Sequence, residues 1–325
     1  MEGVRDWWQE LAGLVLPTEC AGCGRARTVL CPRCRAALDG HPPRRVRPVP
    51  EPAGLPAVHA AARYADEVRA VLLAHKERGG LALTRPLGAA LAGAVWVGLG
   101  RVGEGEGPPP PGNALPPPPS PSLSPPPPDI LLVPVPSAPA ATRARGHDPA
   151  RRIAFAAAGE LRRAGVRVRV AAVLRQRRAV ADQAGLTSRE RLDNLVGALA
   201  VVPGAGRLLC RGPVVLVDDL VTTGASLAEA ARAVRAATAV ERAGRAGRPG
   251  RACRRVGAAG EPGWVEGAAG EGSGVSAVYE GLSREGREVR PSRARKGGAG
   301  VGRGGEVLCA AVVAAPPDSF VINRN

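Results

Sequence analysis

Two short segments carry residue types that can do chemistry. In CAGCGRARTVLCPRC, Cys20 and Cys23 form one C-x2-C pair and Cys31 and Cys34 a second, with seven residues between the pairs. Each pair can fold as a knuckle whose thiolates point one way, and two knuckles complete a tetrahedral four-sulfur shell around zinc. Gly22, Gly24 and Pro32 suit such turns. Four thiolates leave no open position for water, so the expected role is structural rather than catalytic. The competing chemistry, a pair of redox C-x-x-C motifs, asks for a strand followed by a helix start, a context absent from this segment.

The second segment, VVLVDDLVTTGAS, spans Val214 to Ser226. A hydrophobic run ends in two adjacent carboxylates, Asp218 and Asp219, then turns through Thr222, Thr223 and Gly224 into Ala225 and Ser226. Consecutive backbone N–H groups, hydroxyls and a helix N-terminus at 222–226 can wrap a phosphate, and Gly224 lets the anion approach closely. Two carboxylates would repel phosphate, so they fit a ligand that carries hydroxyls beside it. A ribose 5-phosphate meets both demands, with its 2- and 3-hydroxyls on the acids and its phosphate on the loop. A Walker A loop would need Gly-Lys-Ser/Thr, and a dinucleotide fold would want its Gly-rich turn after the first strand with one distant acidic residue, so neither pattern matches this segment. A purely structural acidic turn is the remaining alternative.

The elements that must position these groups alternate along the chain. After a Pro- and Arg-rich connector, His41 to Pro56, AVHAAARYA reads as a strand leading into an amphipathic helix from about Asp66, with Val68, Val71, Leu72 and His75 on one face. His75 and Lys76 fall near its end, and His75 reads as a partly buried helix residue. A second helix is expected from about Pro86 to Val97. DILLVPVP reads as a buried strand, Asp148 as the cap of a helix with Pro149 in its first position, and VRVRVAAVL as an alternating strand. TSRE at Thr187 to Glu190 is a capping box for a helix bearing Leu192, Leu195 and Val196. A helix from about Ala225 to Ala237 and a final strand, VLCAAVVAA, close the series. Strands separated by helices imply an α/β fold: a mainly parallel sheet with helices on both faces.

Composition sets the limits around this core. Of 33 prolines, 13 lie in residues 108–128, and 18 of 43 glycines lie in residues 241–305, so neither block can pack an interior. The division expected is an N-terminal helix and four-cysteine zinc module over 1–45, then an α/β domain over 55–325. That domain is interrupted by a disordered Pro-rich loop at 101–128 and a Gly/Arg-rich insertion at 241–305. The net charge of +16 would suggest a polyanionic partner, but Lys76 and Lys296 are the only lysines. So strong an Arg, Ala, Gly and Pro bias is what GC-rich codons produce without selection for charge. Aromatic residues make up 2% of the chain, too few for a base-stacking platform, and Trp7 and Trp8 read as packing residues. The longest uncharged run outside the Pro-rich block, Pro86 to Gly100, is 15 residues against the roughly 20 of a bilayer-spanning helix, so no membrane span is expected. Glu2, Asp6 and Glu10 are the wrong charge pattern for a secretory signal, and the scattered Cys210, Cys253 and Cys309 make no disulfide framework. A cytoplasmic protein is expected.

VVLVDDLVTTGAS resembles the phosphoribosyl-pyrophosphate (PRPP) signature of type I phosphoribosyltransferases. Taken with the four-cysteine module, LLVPVP, RARGHDP, DQAGLTSRERLDN and AAVVAAPPDSFVINRN, the chain resembles the ComF family of competence-associated, phosphoribosyltransferase-like proteins. The resemblance implies a type I phosphoribosyltransferase fold and binding of PRPP with magnesium. Ribose would sit on Asp218 and Asp219, the 5-phosphate on Thr222, Thr223, Gly224, Ala225 and Ser226, and the pyrophosphate near Pro136, Ser137 and Arg145. Gln183, Arg191 and Asn194 match a later polar segment of the family, and Arg175 or Arg178 are further candidates to clamp pyrophosphate. The implied reaction is transfer of phosphoribosyl to a nitrogen acceptor. The family's other implication is a non-catalytic accessory of DNA uptake, which would bind single-stranded DNA or translocation partners. Where many members have Phe-Asn-Gln after Arg145 and Gly146, this chain has His147, Asp148 and Pro149.

Overall fold

The computed structural model describes residues 19–100, 128–178, 195–246 and 304–320. Trp7, Trp8, the capping box at Thr187 to Glu190, Leu192, Gln183, Arg191 and Asn194, the Pro-rich block up to residue 127, and Cys253 with most of the Gly/Arg-rich block lie outside those residues. The elements in chain order are α1 (Pro32–Asp39), β1 (Arg44–Val46), β2 (Val58–Arg63), α2 (Asp66–Glu77), α3 (Thr84–Gly98), β3 (Ile130–Pro134), α4 (Pro139–Arg145) and α5 (Pro149–Arg163). They continue with β4 (Val168–Val170), β5 (Leu174–Gln176), β6 (Leu199–Val201), α6 (Gly206–Leu209), β7 (Val214–Leu220), α7 (Ala225–Ala246) and β8 (Val307–Ala315).

The main sheet has the order β1-β2-β8-β7-β3-β4, parallel throughout except for the antiparallel β1–β2 pair at one edge. Its central strands read as continuous apolar runs because both faces are covered. The period of two sorts their side chains. Val215, Val217, Ala311 and Val313 pack into one layer with α1, α2, α3 and α5, while Val214, Leu216, Ala310 and Val312 pack into the other with α7. The α/β class with a mainly parallel sheet is therefore the observed one.

Three local features differ from the sequence expectation. The segment VRVRVAAVL is not one strand. Its middle, β4, joins the main sheet beside β3, residues 171–173 leave the strand, and only its last residue, Leu174, enters β5, which pairs antiparallel with β6 in a separate two-stranded ribbon. Alternation specifies extended backbone but not which sheet receives it. The connector His41 to Pro56 contributes the edge strand β1, and α7 runs past Ala237 to Ala246. The window Leu81–Gly98 is long and apolar enough, by length and composition alone, to cross a membrane, and half of it is buried, with α3 packed on α5, β8 and β2.

The α3–α5 crossing is close because Gly88 offers no side chain. A Cβ there would strike Ala156 Cβ and stand 2.9 Å from Ala157 N and 3.0 Å from Ala156 C, which is backbone that cannot step aside. Gly159 on α5 has its nearest such neighbour, Arg163 Nη2, at 4.0 Å. Gly88→Ala is expected to destabilise the protein by about 1–3 kcal/mol through overpacking. Gly159→Ala should stabilise it by up to about 1 kcal/mol through helix propensity. Chemical denaturation of the two variants checks this, and equal effects would refute the packing argument.

Candidate functional site

The cysteine cluster forms where the chain enters α1. Glu19 bridges Ala26 to close the first knuckle, and Cys31 precedes Pro32, which opens α1 and carries Cys34 in its first turns. The four Sγ atoms lie within 4.8 Å of one another, with Cys20, Cys31 and Cys34 buried and Cys23 exposed. The Cys31 N–H donates to Cys20 Sγ at 3.3 Å. Burial pushes the Cys20 thiol up, but the backbone N–H groups of Cys23, Cys31 and Gly22 outweigh it and hold it at about 6. Cys31 is likewise lowered, chiefly by the backbone N–H of Cys34, whereas burial drives Cys34 up. Four mutually close sulfurs, three of them buried, make a donor set for one metal ion, consistent with a structural zinc.

This module is not a separate body. Cys20, Leu30, Cys31, Cys34 and Leu38 belong to the same hydrophobic cluster as α2, α3 and one face of the sheet. Arg33 reaches Glu67 Oε1 at 2.6 Å, and a Cβ on Gly22 would sit 2.6 Å from Cys34 Sγ and 3.3 Å from Glu67 Cβ. The first turn of α2 therefore rests directly on the cysteine knuckles.

The last turn of α2 rests on the second chemical segment. Val217 and Asp219 share one strand face and Asp218 the other, so the adjacent carboxylates leave β7 on opposite sides. Asp219 goes toward α2, where its side chain is 10% exposed and its Oδ2 stands 3.3 Å from Lys76 Nζ. Asp218 leaves on the α7 side, and its Oδ1 accepts from the Asp219 N–H at 2.9 Å. Burial and the Asp219 carboxylate raise the Asp218 carboxyl well above its ordinary range, against the pull of Lys76. Lys76 is raised chiefly by Asp219, so it stays an ammonium. One residue earlier on α2, His75 is 1% exposed, faces Thr84 Oγ1 at 3.2 Å and meets the His147 ring edge-on at 5.9 Å. Burial and His147 lower His75 to about 4, so this residue is a neutral core imidazole.

The loop after β7 leaves the sheet once Val221 N–H has donated to Ala314 O. Thr222 is exposed, Thr223 and Ser226 are half-buried, and Gly224 and Ala225 are buried. Thr223 Oγ1 accepts from Ala225 N–H at 3.4 Å, and Gly224 has φ +75°, a left-handed conformation suited to glycine. A Cβ on Gly224 would stand 3.1 Å from Leu55 Cδ2 and 3.3 Å from Pro48 Cγ, so the connector covers one flank of this loop. Arg235 on α7 fixes that cover by donating to Gly54 O at 2.8 Å.

The neighbouring loop follows β3. Asp148 caps α5 by accepting from Arg151 N–H, and its other oxygen accepts from Ser137 N–H at 3.0 Å, which pins the Pro136–Ser137 turn. Arg145 is held by Ala141 O and by Glu77 Oε1 at 3.2 Å. The structure thus brings Asp218, Asp219, Thr222 to Ser226 and Arg145 toward the carboxyl ends of β7 and β3, the end of an open α/β sheet at which ligands usually bind. Arg175 is exposed on the β5–β6 ribbon, and Arg178 donates to Val196 O. Sequence reasoning did not assign Lys76 to the site and missed the second bond of Asp148. The rarity of lysine in an arginine-rich chain was the available signal for the first.

No family model matches the chain, and neither curated proteins nor solved structures include a match.

Two outcomes follow from this geometry. Cobalt added to the metal-free protein should bind as a single equivalent with thiolate-to-metal charge-transfer absorption, lost in Cys34→Ser; absence of that absorption would exclude a four-sulfur site. For Asp218, the folded carboxyl titrates above the unfolded one near 3.9, so the folded state binds more protons between the two values and stability falls as pH rises through that window. Asp218→Asn should therefore raise the melting temperature at pH 7, with the gain shrinking toward pH 4. A gain that is constant with pH would contradict the assignment.

Proposed function

We propose that the chain is a type I phosphoribosyltransferase-like protein that binds PRPP, or a related ribose phosphate, at the end of β7. The observation that supports it most is the placement of an acidic pair, a Thr-Thr-Gly loop and a helix N-terminus on one strand end. Carboxylates accept from sugar hydroxyls there, and amides with the positive end of the α7 dipole face the 5-phosphate. The four cysteines, with zinc as the proposed ion, hold the fold rather than the reaction. As a cytoplasmic enzyme, the protein would displace pyrophosphate from ribose C1 with a nitrogen nucleophile. The C1–O bond breaks with its electrons on pyrophosphate, the C1–N bond forms, and the nitrogen proton leaves to solvent.

The chain's residues supply position and charge to such a step more than proton transfer. Asp219 and Asp218 orient the ring, the 222–226 loop anchors the phosphate, and Arg145 lies on the pyrophosphate side. The hard carboxylate oxygens suit magnesium, which when bound supplies charge neutralisation on the leaving group. Because Lys76 already occupies Asp219, contact with that ion through sugar hydroxyls or water fits better than direct ligation.

Calorimetry with PRPP and magnesium tests the reading. The wild type should bind, and Asp218→Asn/Asp219→Asn should lose about tenfold or more, the scale of hydrogen bonds to charged groups. Silence of the wild type would overturn it and favour the accessory of DNA uptake. That protein should hold single-stranded DNA at raised salt and release it on metal chelation.

A further inference from the structure

Three of the four clustered cysteines are buried, and the fourth, Cys23, is exposed. A centre that only holds a fold gains nothing from one donor open to solvent, because burial is what keeps structural cysteines inert. The exposed sulfur is also placed to react, since Cys23 Sγ stands 3.6 Å from Cys31 Sγ across the two knuckles. A disulfide requires about 2 Å, so a short approach joins them.

Cys31 is the residue that such a bond would displace, and much is built on it. It immediately precedes α1, and its N–H donates to Cys20 Sγ. Helix α1 packs on α2, α3 and β2, and Arg33 in its first turn ties Glu67 at the start of α2. Gly22 in the first knuckle lies against the same glutamate, where a Cβ would stand 3.3 Å from Glu67 Cβ. The residue before it, Asp66, has φ +42°, a left-handed conformation that a side-chain-bearing residue keeps only where its surroundings impose it. On the entering side, Tyr64 N–H donates to Ala315 O at 2.7 Å; on the other side the cysteine knuckles hold Glu67. The strained start of α2 is thus clamped between the sheet and the module, and its last turn carries Lys76 to Asp219 and Glu77 to Arg145.

We propose that the four-cysteine centre is a redox-sensitive modification site whose oxidation releases α2 from the end of β7. With hydrogen peroxide as oxidant, the Cys23 sulfur attacks the O–O bond to give a sulfenic acid and hydroxide. The Cys31 sulfur then displaces the second hydroxide, the S–S bond forms, and two protons from solvent convert both hydroxides to water. Two electrons pass from the sulfurs to the peroxide. Cys20 and Cys34 alone do not retain a zinc ion, so the knuckles part, Asp66 relaxes, and Lys76 leaves Asp219. This switch does not depend on which ligand the end of β7 takes.

The test treats the full, zinc-loaded chain with hydrogen peroxide and follows zinc with a chromogenic chelator and backbone amides by hydrogen exchange. About one equivalent of zinc should appear, exchange over residues 68–78 and 218–221 should rise by about tenfold or more, and β3 and β8 should stay protected. Dithiothreitol with zinc should restore the starting pattern. Cys23→Ser should keep its zinc through the same treatment. Should that variant fail to load, trypsin decides on the wild type, because Arg25, Arg27 and Arg33 leave Cys20 with Cys23, Cys31, and Cys34 on three separate peptides. A link between the first two of these peptides supports the proposal, and bonds confined to one knuckle overturn it. So does zinc that stays in place, zinc loss without change in α2, or exchange that rises equally in β3 and β8, which is loss of the fold rather than a switch.

Discussion

A carboxylate withdrawn from water must either find a cation or take up a proton. The end of β7 uses both solutions on adjacent residues. Asp219 meets Lys76 across the interface with α2, and Asp218, on the other face, is pushed toward its neutral form. This division follows from the strand period of two, which sends neighbours to opposite sides. A crevice with one fixed charge pair and one easily protonated acid is less repulsive to anions than two exposed carboxylates would be. That makes the acidic pair compatible with the amide-rich loop three residues away.

The same ion pair makes α2 the mechanical link of the molecule. Its first turn is seated on the cysteine knuckles through Glu67, and its last turn sets His75 in the core, Lys76 on Asp219 and Glu77 on Arg145. The intervening face, Val68, Val71, Leu72 and Ala74, is buried in the layer that also holds Cys20, Cys31 and Cys34. A helix of 12 residues is a rigid rod of about 18 Å, so displacement at one end is carried to the other. The cysteine module and the Lys76–Asp219 pair thus share one side of the sheet, joined through the buried face of α2, although they are read as unrelated motifs in the chain.

Much of this was legible from local pattern. The C-x2-C spacing announced the cluster, the apolar runs at Leu131 and Val214 announced central strands, and Asp148 before Pro149 announced a capped helix. In each case the signal lies within a few residues of the structure it specifies. What escaped depends on pairs far apart in sequence. Lys76 and Asp219 meet only because α2 crosses the end of β7, and the Ser137 N–H bond to Asp148 joins two turns that each look complete alone. The split of VRVRVAAVL between two sheets, and the packing of Leu55 and Pro48 against Gly224, are equally tertiary in origin. Periodicity reports which faces are apolar, not what covers them.

The position of β8 has a bearing on how the molecule is made. This strand, at Val307–Ala315, is wedged between β2 and β7, so the centre of the sheet is filled by the last of these strands to be synthesised. Until the ribosome delivers it, β2 and β7 present unsatisfied edges, and the nascent chain has no native partner to offer them. Folding of the domain must therefore wait until the chain has been extended through Ala315, and a truncated product ending after α7 would be a substrate for chaperones and proteases rather than a smaller version of the protein.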